Sequence, residues 1–512
     1  MDYITAHNRH QVSFGSLEDA IENDNPVRVI EAFVEALDLP SLNFIIKKMQ
    51  AEGRPAFNPK VFLKIYFYGY VNGIRSSRRL EKECKRNIEL QWLIGKLVPN
   101  YHSIADFRKE NPQALKNTFK LFVSFLKDAS LVSGNTIAID GTKMRAHNSK
   151  KNNYNPKKIE RHLKYIEEKT NEYLTAIEVN DANESTVKIS EVTQRIALLK
   201  QNKIEYEQLA QQLEQSGDPQ VSTTDTDARA LLVQGQVVEV SYNMQAAVDD
   251  KHKLVVATHT INRNDRNALS DIAAEAKANL NATSLTAISD KGYHNGRQLQ
   301  ECFDNNITTI CAHQEIVNSN VKGTTPEYLV TKFTYNKQDD TYTCPQGETL
   351  RTQGTWHTKV STNSYQFKKY RTPSCKTCAV KNLCTGREKG GREIDRSEFA
   401  DIVEANNKRY QANQALYRTR QEINEHIFGT IKRKWGYYYT NLKGLEKVNG
   451  EFALIMTVYN LKRCINILGV EPLIEKLKKW VPNYKRIAHT FSKPTFLELI
   501  PCTFFHQQKL AA

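Results

Sequence analysis

The sequence predicts an α/β fold, with a mixed five-stranded sheet and flanking helices. An all-α N-terminal block, a helical-hairpin insert and a small cysteine-cluster insert are added to it. Three observations carry this expectation. Residues 1–133 place apolar side chains at three-and-four spacing. Short β-branched runs begin at Asn135 and recur as far as NITTICA, and from about residue 405 the chain reads as helix again.

In the N-terminal block, NPVRVIEAFVEALDLPSL and PKVFLKIYFYGYVNGI are helical in pattern, and Asn58 with Pro59 marks a helix start. A second helical pair lies in HSIADFRKENPQALKNTFKLFVSFLKDA. TIAID then reads as the first strand. VVEVSYNMQAAVDD and HKLVVATHTI form a hairpin that turns at Asp249 to Lys251. ALSDIAAEAKANL is a helix capped by Asn264 or Asp265. SLTAISD and NITTICA complete the five strands. Between the first strand and the hairpin, Ile189, Val192, Ile196, Leu199, Tyr206, Ala210 and Leu213 fit an a/d seam broken by Lys203, which predicts an antiparallel helical hairpin. The expected boundaries are a helical N-terminal domain at 1–133 and a catalytic domain at 134–470. The latter carries the helical insert at 150–220 and the cysteine insert at 318–400, and a basic tail follows at 471–512.

Composition narrows the class. The 512 residues carry a formal charge of +15, the footprint of a polyanion binder. Hydrophobic residues make up 40%, and no run of about 18 apolar residues offers a membrane span. The opening MDYITAHNRHQVSFGS lacks the basic-then-apolar layout of a signal peptide, so a cytoplasmic, nucleoid-associated location is expected. Nine cysteines, an odd number spread along the chain, do not make a secreted disulfide framework.

Strand, helical insert, hairpin, helix, strand, strand, helix is the element order of the RNase H-like fold. Three carboxylates fall where that fold needs them: Asp140 closing TIAID, Asp290 closing SLTAISD, and Glu425 on the helix INEHIFGTIKRK. Neighbouring parallel strands ending in Asp present two carboxylates at one sheet edge, and a helix across that edge supplies a third. Breaking a phosphodiester bond requires an activated oxygen nucleophile and neutralised phosphate charge, which two magnesium (or manganese) ions provide. Such hard ions select Asp and Glu as ligands. Lys432 follows Glu425 by two helical turns. Arg418, Arg420, Lys432, Arg433 and Lys434 interleave with Tyr417, Trp435 and Tyr437 to Tyr439, a mixture suited to phosphate contact and base stacking.

The motifs AIDGTKMRAHNSK, STTDTDAR, YNMQAAVDD, NRNDRNAL, ISDKGYHN and YRTRQEINEHIFGTIKRKWGYYYTNLKG resemble the DDE transposases of bacterial insertion sequences, in the retroviral-integrase and RNase H-like superfamily. The resemblance extends from about residue 25 to 470. Such enzymes commonly show Tyr, Arg, Glu and Lys at set intervals around the third acid. Glu425 and Lys432 keep the last interval and Tyr417 and Arg420 the first, whereas Arg420 precedes Glu425 by five positions instead of four. Reading from Arg418 selects Glu422 instead, but Gly429 then stands where the cation belongs. The resemblance implies nicking at the ends of a mobile element, followed by attack of the freed 3′-hydroxyl on target DNA. Lys432, Arg420 and Tyr417 would hold DNA phosphates, with Lys143 and Arg145 as further candidates and a homodimer in the active complex. Asp225, Asp227, Asp249 and Asp265, also in family-like motifs, are assigned to turns and helix caps.

Cys344, Cys375, Cys378 and Cys384 make a four-thiol set suited to a structural zinc ion, or else ordinary thiols. Cys84, Cys302, Cys311, Cys464 and Cys502 are expected in the core. GIRSSRRLEKECKRN, with Arg75, Arg78 and Arg79, is a cationic stretch suited to tracking phosphates. By resemblance its domain binds the terminal inverted repeats. Two other readings stay open: an RNase H-like nuclease that cuts without joining, and a transposase-derived DNA-binding protein that no longer catalyses.

Overall fold

The computed structural model describes residues 10, 12, 14–46, 55–181, 186–233, 237–313, 324–360 and 364–485. Cys502 and the side chain of Ile189 lie outside the described residues. Six helices come first: α1 (Val27–Glu35), α2 (Pro59–Val71), α3 (Ser77–Arg86), α4 (Ile88–Ile94), α5 (Tyr101–Glu110) and α6 (Pro112–Asp128). The Asn58 side chain caps α2 by accepting from Lys60 N, and Pro59 takes the first helical position, where no amide hydrogen is needed.

The central sheet is built from β1 (Thr136–Arg145), β4 (Arg229–Val233), β5 (Val237–Asp249), β6 (Val255–Ile261), β7 (Leu285–Ser289) and β8 (Ile307–Cys311). Two-residue strands β2 (Asn153–Tyr154) and β3 (Val221–Ser222) pair at the base of the helical hairpin α7 (Pro156–Asp181) and α8 (Thr186–Ser216). Helices α9 (Leu269–Asn279) and α10 (Gly296–Asp304) flank β7. β5 runs antiparallel to both β1 and β6, whereas β1, β7 and β8 are mutually parallel. The resulting order, β6-β5-β1-β7-β8, is that of the RNase H-like fold, with β4 added along the start of β5. The runs TIAI, LTAIS and ITTIC are apolar on both faces, as parallel strands covered on both sides require. Along the hairpin, Ile196 and Leu213 are buried, Val192, Leu199, Tyr206 and Ala210 are half-buried, and Lys203 is exposed.

The cysteine insert is a second sheet, which the sequence reading did not anticipate. It comprises β9 (Thr334–Asn336), β10 (Thr341–Thr343), β11 (Thr349–Lys359), β12 (Tyr365–Arg371), the short α11 (Lys381–Cys384) and β13 (Ile394–Ser397), all antiparallel. Tyr342, Leu350, Tyr370 and Ile394 form its own small core. The chain then returns to the first sheet through α12 (Ala400–Ala412) and α13 (Gln414–Gly429), and the last helices among the described residues are α14 (Leu445–Leu468) and α15 (Val470–Lys479).

The first six helices share one apolar core with the sheet, running from Ile21 to Leu477. Helix α14 lies against α2, α6 and β6, and α15 against α1. The start of the expected tail therefore folds back: the Trp480 ring meets Phe125 edge-on, and the Tyr484 hydroxyl accepts from Asp38 N at 2.7 Å. Gly450 makes the α14–α6 approach possible, since a Cβ there would stand 2.5 Å from Pro112 Cα.

A buried ionic knot locks this junction. Glu451 on α14 faces Arg75 at 3.5 Å and Arg108 at 3.6 Å, and accepts from the Asn441 and Leu442 amides. Arg75 is also held between the rings of Tyr437 and Tyr439, at 4.4 and 4.5 Å. This corrects the expectation for Arg75: it is buried inside the protein and does not track phosphates, whereas Arg78 and Arg79 are exposed. The sequence could not separate them, because all three sit in one cationic run. Removing one partner of a buried pair strands the others, at a cost of about 3–5 kcal/mol. Glu451→Gln is therefore expected to lower the unfolding free energy by that order, seen as a lower urea midpoint, and an unchanged midpoint would rule out the knot as a structural anchor.

Candidate active site

Parallel pairing of β1 and β7 runs from Thr136↔Thr286 to Ile139↔Ser289. The next pair in that register is Asp140 and Asp290, about 4.8 Å apart across the sheet. Here the structure departs from the sequence reading. Asp140 does not end β1, because the strand continues to Arg145 along β5. β7 stops instead, leaving the β7 side of β1 open at Asp140, and α13 crosses there.

Arg420 on α13 faces Asp140 with Nη1 3.4 Å from Oδ2. Its guanidinium lies 5.7 Å from the centre of the Tyr417 ring. The Asp140 carboxyl is pushed up to about 6 by burial; Arg420 and the Gly141 amide oppose this, and Asp290 and Asp265 add to it. Asp290 Oδ1 accepts from Gly292 N at 2.9 Å.

Glu425 is not brought to this pair. It lies on α13 but is exposed, and its Oε1 accepts from Gln421 Nε2 at 2.7 Å. The competing Glu422 is also exposed and pairs with Lys253. The two turns expected between Glu425 and Lys432 pass through a π-helical segment, Thr430–Lys434. That wider turn shifts the phase, as π-bulges at functional sites do. Lys432 Nζ consequently donates to the Lys143 carbonyl at 2.9 Å beside β1, while Arg433 and Lys434 are exposed. Burial and the nearby Lys143 hold the Lys432 ammonium below its usual range. Arg145 is exposed, and its backbone exchanges hydrogen bonds with Tyr438 and Thr440.

Asp265 is the residue that sequence reasoning missed. Neither it nor Asn264 caps α9, whose N-cap is Ala268. Its carboxylate turns into the site, taking Lys143 at 2.9 Å, Asn243 at 2.7 Å and Gln245 at 2.8 Å. Burial tends to raise the Asp265 carboxyl, but Lys143 and the two amides outweigh it and hold it below the usual carboxylate range. Tyr293 donates to Gln245 beneath. A side chain at position 141 would stand 2.2 Å from Gln245 Nε2 and 2.7 Å from Asp265 Oδ1, so this approach requires Gly141. The alternation of Asn243 and Gln245 along β5 was the signal available, since both amides point to one face. Asp225, Asp227 and Asp249 serve structure: Asp225 accepts from Tyr242, Asp227 caps Leu445 N, and Asp249 binds the Ser133 and Gly134 amides.

Cys344, Cys375, Cys378 and Cys384 line one small cavity of about 30 Å³. Burial pushes the Cys384 thiol up; Arg392 opposes this, and the other three thiols add to it. Among the described residues no three His, Cys, Asp or Glu side chains converge closely enough to cage an ion, the thiols and the acidic site included. Cys84, Cys302, Cys311 and Cys464 are buried.

The raised Asp140 value fixes a pH dependence. A carboxyl whose folded-state value lies above its unfolded one lowers stability as pH climbs from about 4 through 6. Asp140→Asn, which cannot titrate there, should raise the melting temperature at about pH 7.5 and lose that advantage at about pH 4. An equal difference at both pH values would show that charge burial is not the cause.

Comparison with known proteins places these features. Residues 15–110 match a family described as a transposase domain (DUF772), and residues 343–465 match one described as a transposase DDE domain. No curated protein matches the chain. Among solved structures, the piggyBac transposase in its synaptic complex with hairpin DNA aligns over 93% of this chain and 83% of that one. The identity is 8% and the TM-score 0.30. With its N-terminal helices matching one transposase domain and the segment bearing Glu425 and Lys432 matching another, the chain carries a transposase DDE domain and is an enzyme of that class.

Proposed function

We propose that this transposase binds the terminal inverted repeats of an insertion sequence, nicks the DNA there and joins the freed end to a target. The observation that carries the reading is the forced adjacency of Asp140 and Asp290 at the point where β7 ends. Their donor chemistry fits a hard divalent cation. The site offers the carboxylate oxygens of Asp140 and Asp290, and a bound cation would offset the burial that raises the Asp140 carboxyl. Asp140 and Asp290 would hold the metal pair, and Glu425, which α13 carries on its exposed side here, would join them only through a shift of that helix when metal or DNA binds. Bound there, the ions supply Lewis-acid stabilisation of the phosphate and of the attacking and leaving oxygens.

The protein's own groups do the rest. Arg420, which neutralises Asp140 in this structure, is the nearest cation to receive a phosphate oxygen once that carboxylate is engaged. Lys432 and Lys143 sit side by side along β1 as a second phosphate contact, and Tyr417 backs Arg420. Asp265 positions Lys143 through the hydrogen bonds already described. In the first step water attacks phosphorus, and the bond to the 3′-oxygen breaks, leaving a 3′-hydroxyl. In the second, that hydroxyl attacks a target phosphodiester and the displaced 3′-oxygen leaves with a proton. Arg78, Arg79, Arg433, Lys434 and Arg145, all exposed, extend the cationic surface available to DNA. The thiols of Cys344, Cys375, Cys378 and Cys384 support a structural zinc ion by donor type. Two DNA ends must meet for joining, which favours a homodimer in the active complex.

The test uses DNA bearing the element's own ends, with magnesium. Wild type should nick and join. Asp140→Ala, Asp290→Ala and Glu425→Ala should each bind the ends and lose nicking and joining together, by at least about a thousandfold. Cleavage without joined product would favour a simple nuclease, and no magnesium-dependent cleavage by wild type would leave a DNA-binding protein. Magnesium should also raise the melting temperature of wild type and not of Asp290→Ala.

A further inference from the structure

Beside Asp265 and Asp290 the surface opens into a groove of about 780 Å³ between the central body and the five-stranded sheet. Arg263, Arg266 and Arg297 line the body side, and Lys359 and Tyr365 the far side. Arg266 follows Asp265 directly in the chain, and His294, also in the groove, lies four residues past Asp290. The groove is thus lined by residues that lie next to Asp265 and near Asp290 in the chain. These four cations face two carboxylates, Asp271 and Glu301. Glu301 accepts from Ser270 and Gln298. Among the described residues the one ion pair these cations make is Arg263 with Asp271, at 3.9 Å and exposed. Arg266, Arg297 and Lys359 are exposed as well.

The sheet wall is aromatic. His357 lies opposite Phe367 and Lys359 opposite Tyr365, so these four share one face. Ser397, opposite Phe367 on the next strand, lines the groove, which turns that face toward it. Ring centres are 5.6 Å apart for His357 and Phe367 and 6.3 Å for Tyr365 and Phe367, and Lys359 Nζ lies 5.8 Å over Tyr365. The sheet's own core uses other rings, Tyr342 and Tyr370. Tyr365 lines the groove, and His357 and Phe367 continue the same face beyond it; all three are half-exposed without serving that core.

Cations spaced along a groove, with rings on one wall, match a strand whose bases are free to stack. We propose that this groove holds an unpaired stretch of DNA next to the acidic site. Arg266, Arg297 and Lys359 take its phosphates, and Tyr365, Phe367 and His357 take its bases. The inference rests on the DNA-processing reading above. A duplex would satisfy the cations but keep its base faces hidden from the rings.

The test is fluorescence anisotropy with the full chain in EDTA, comparing a labelled mixed-sequence single strand of about 20 nucleotides with its duplex. Arg266→Ala combined with Arg297→Ala should weaken single-strand binding about tenfold and reduce the salt slope by about 1.4. Tyr365→Leu keeps apolar bulk and removes the ring. It should cost about tenfold on the single strand, leave the salt slope unchanged and spare the duplex. Lys359→Glu, at an exposed position, gives the same direction without touching a core. Photo-cross-linking of a bromouracil-substituted strand should map to His357, Tyr365 or Phe367. Equal losses for Tyr365→Leu on both DNA forms, unchanged binding in all variants, or cross-links elsewhere would overturn the proposal. Because no cleavage is required, failure to join DNA with normal single-strand binding would count against the transposition reading alone. An active enzyme whose single-strand binding ignores these variants would count against this inference alone.

Discussion

The parallel register of β1 and β7 is the constraint on which the site depends. Once Ile139 pairs with Ser289, the backbone leaves Asp140 and Asp290 no choice but to be neighbours. Two carboxylates at strand spacing repel, and burial of Asp140 sharpens the conflict. The surroundings answer it unevenly. Arg420 reaches over from α13, and Asp265 is fully satisfied by Lys143, Asn243 and Gln245, yet Asp140 still holds its proton unusually tightly. A site left short of positive charge is one prepared to receive it.

Helix α13 is the adjustable part. Its inner face carries Ile423, Ile427 and then Ile431 into the core, fixing the helix against β1. Its outer flank carries Glu425 with Gln421, away from the acids. The π segment after Gly429 redirects Lys432 toward β1. Arg420 and Lys432 are thereby committed to the sheet edge, while Glu425 remains on the solvent side of the same helix.

Much of this was legible in the chain. The five strands follow from β-branched runs and the hairpin of α7 and α8 from a heptad seam, both local in origin. Asp140 and Asp290, in contrast, were picked out by the order of the elements, and Asp140 does not end its strand. Three things were not legible. The length of β1 depends on how far β5 accompanies it, a long-range property. The burial of Arg75 depends on Glu451, Tyr437 and Tyr439, hundreds of residues away in sequence. Asp265 looked like a helix cap because Asp often is one, and only the folded sheet brings Asn243 and Gln245 to it. The five-stranded insert escaped notice because β9, β10 and β13 span only three or four residues each and β11, its longest strand, is mostly polar.

The position of α14 also sets a schedule for folding. Helices α1, α2 and α6 find packing partners in α14 and α15, which are made much later. Contacts of such sequence separation form slowly, because a long loop must close first. Until residues near 480 have emerged, Phe125 lacks the Trp480 ring that meets it. A product truncated before α14 would lack the partners that α1, α2 and α6 pack against.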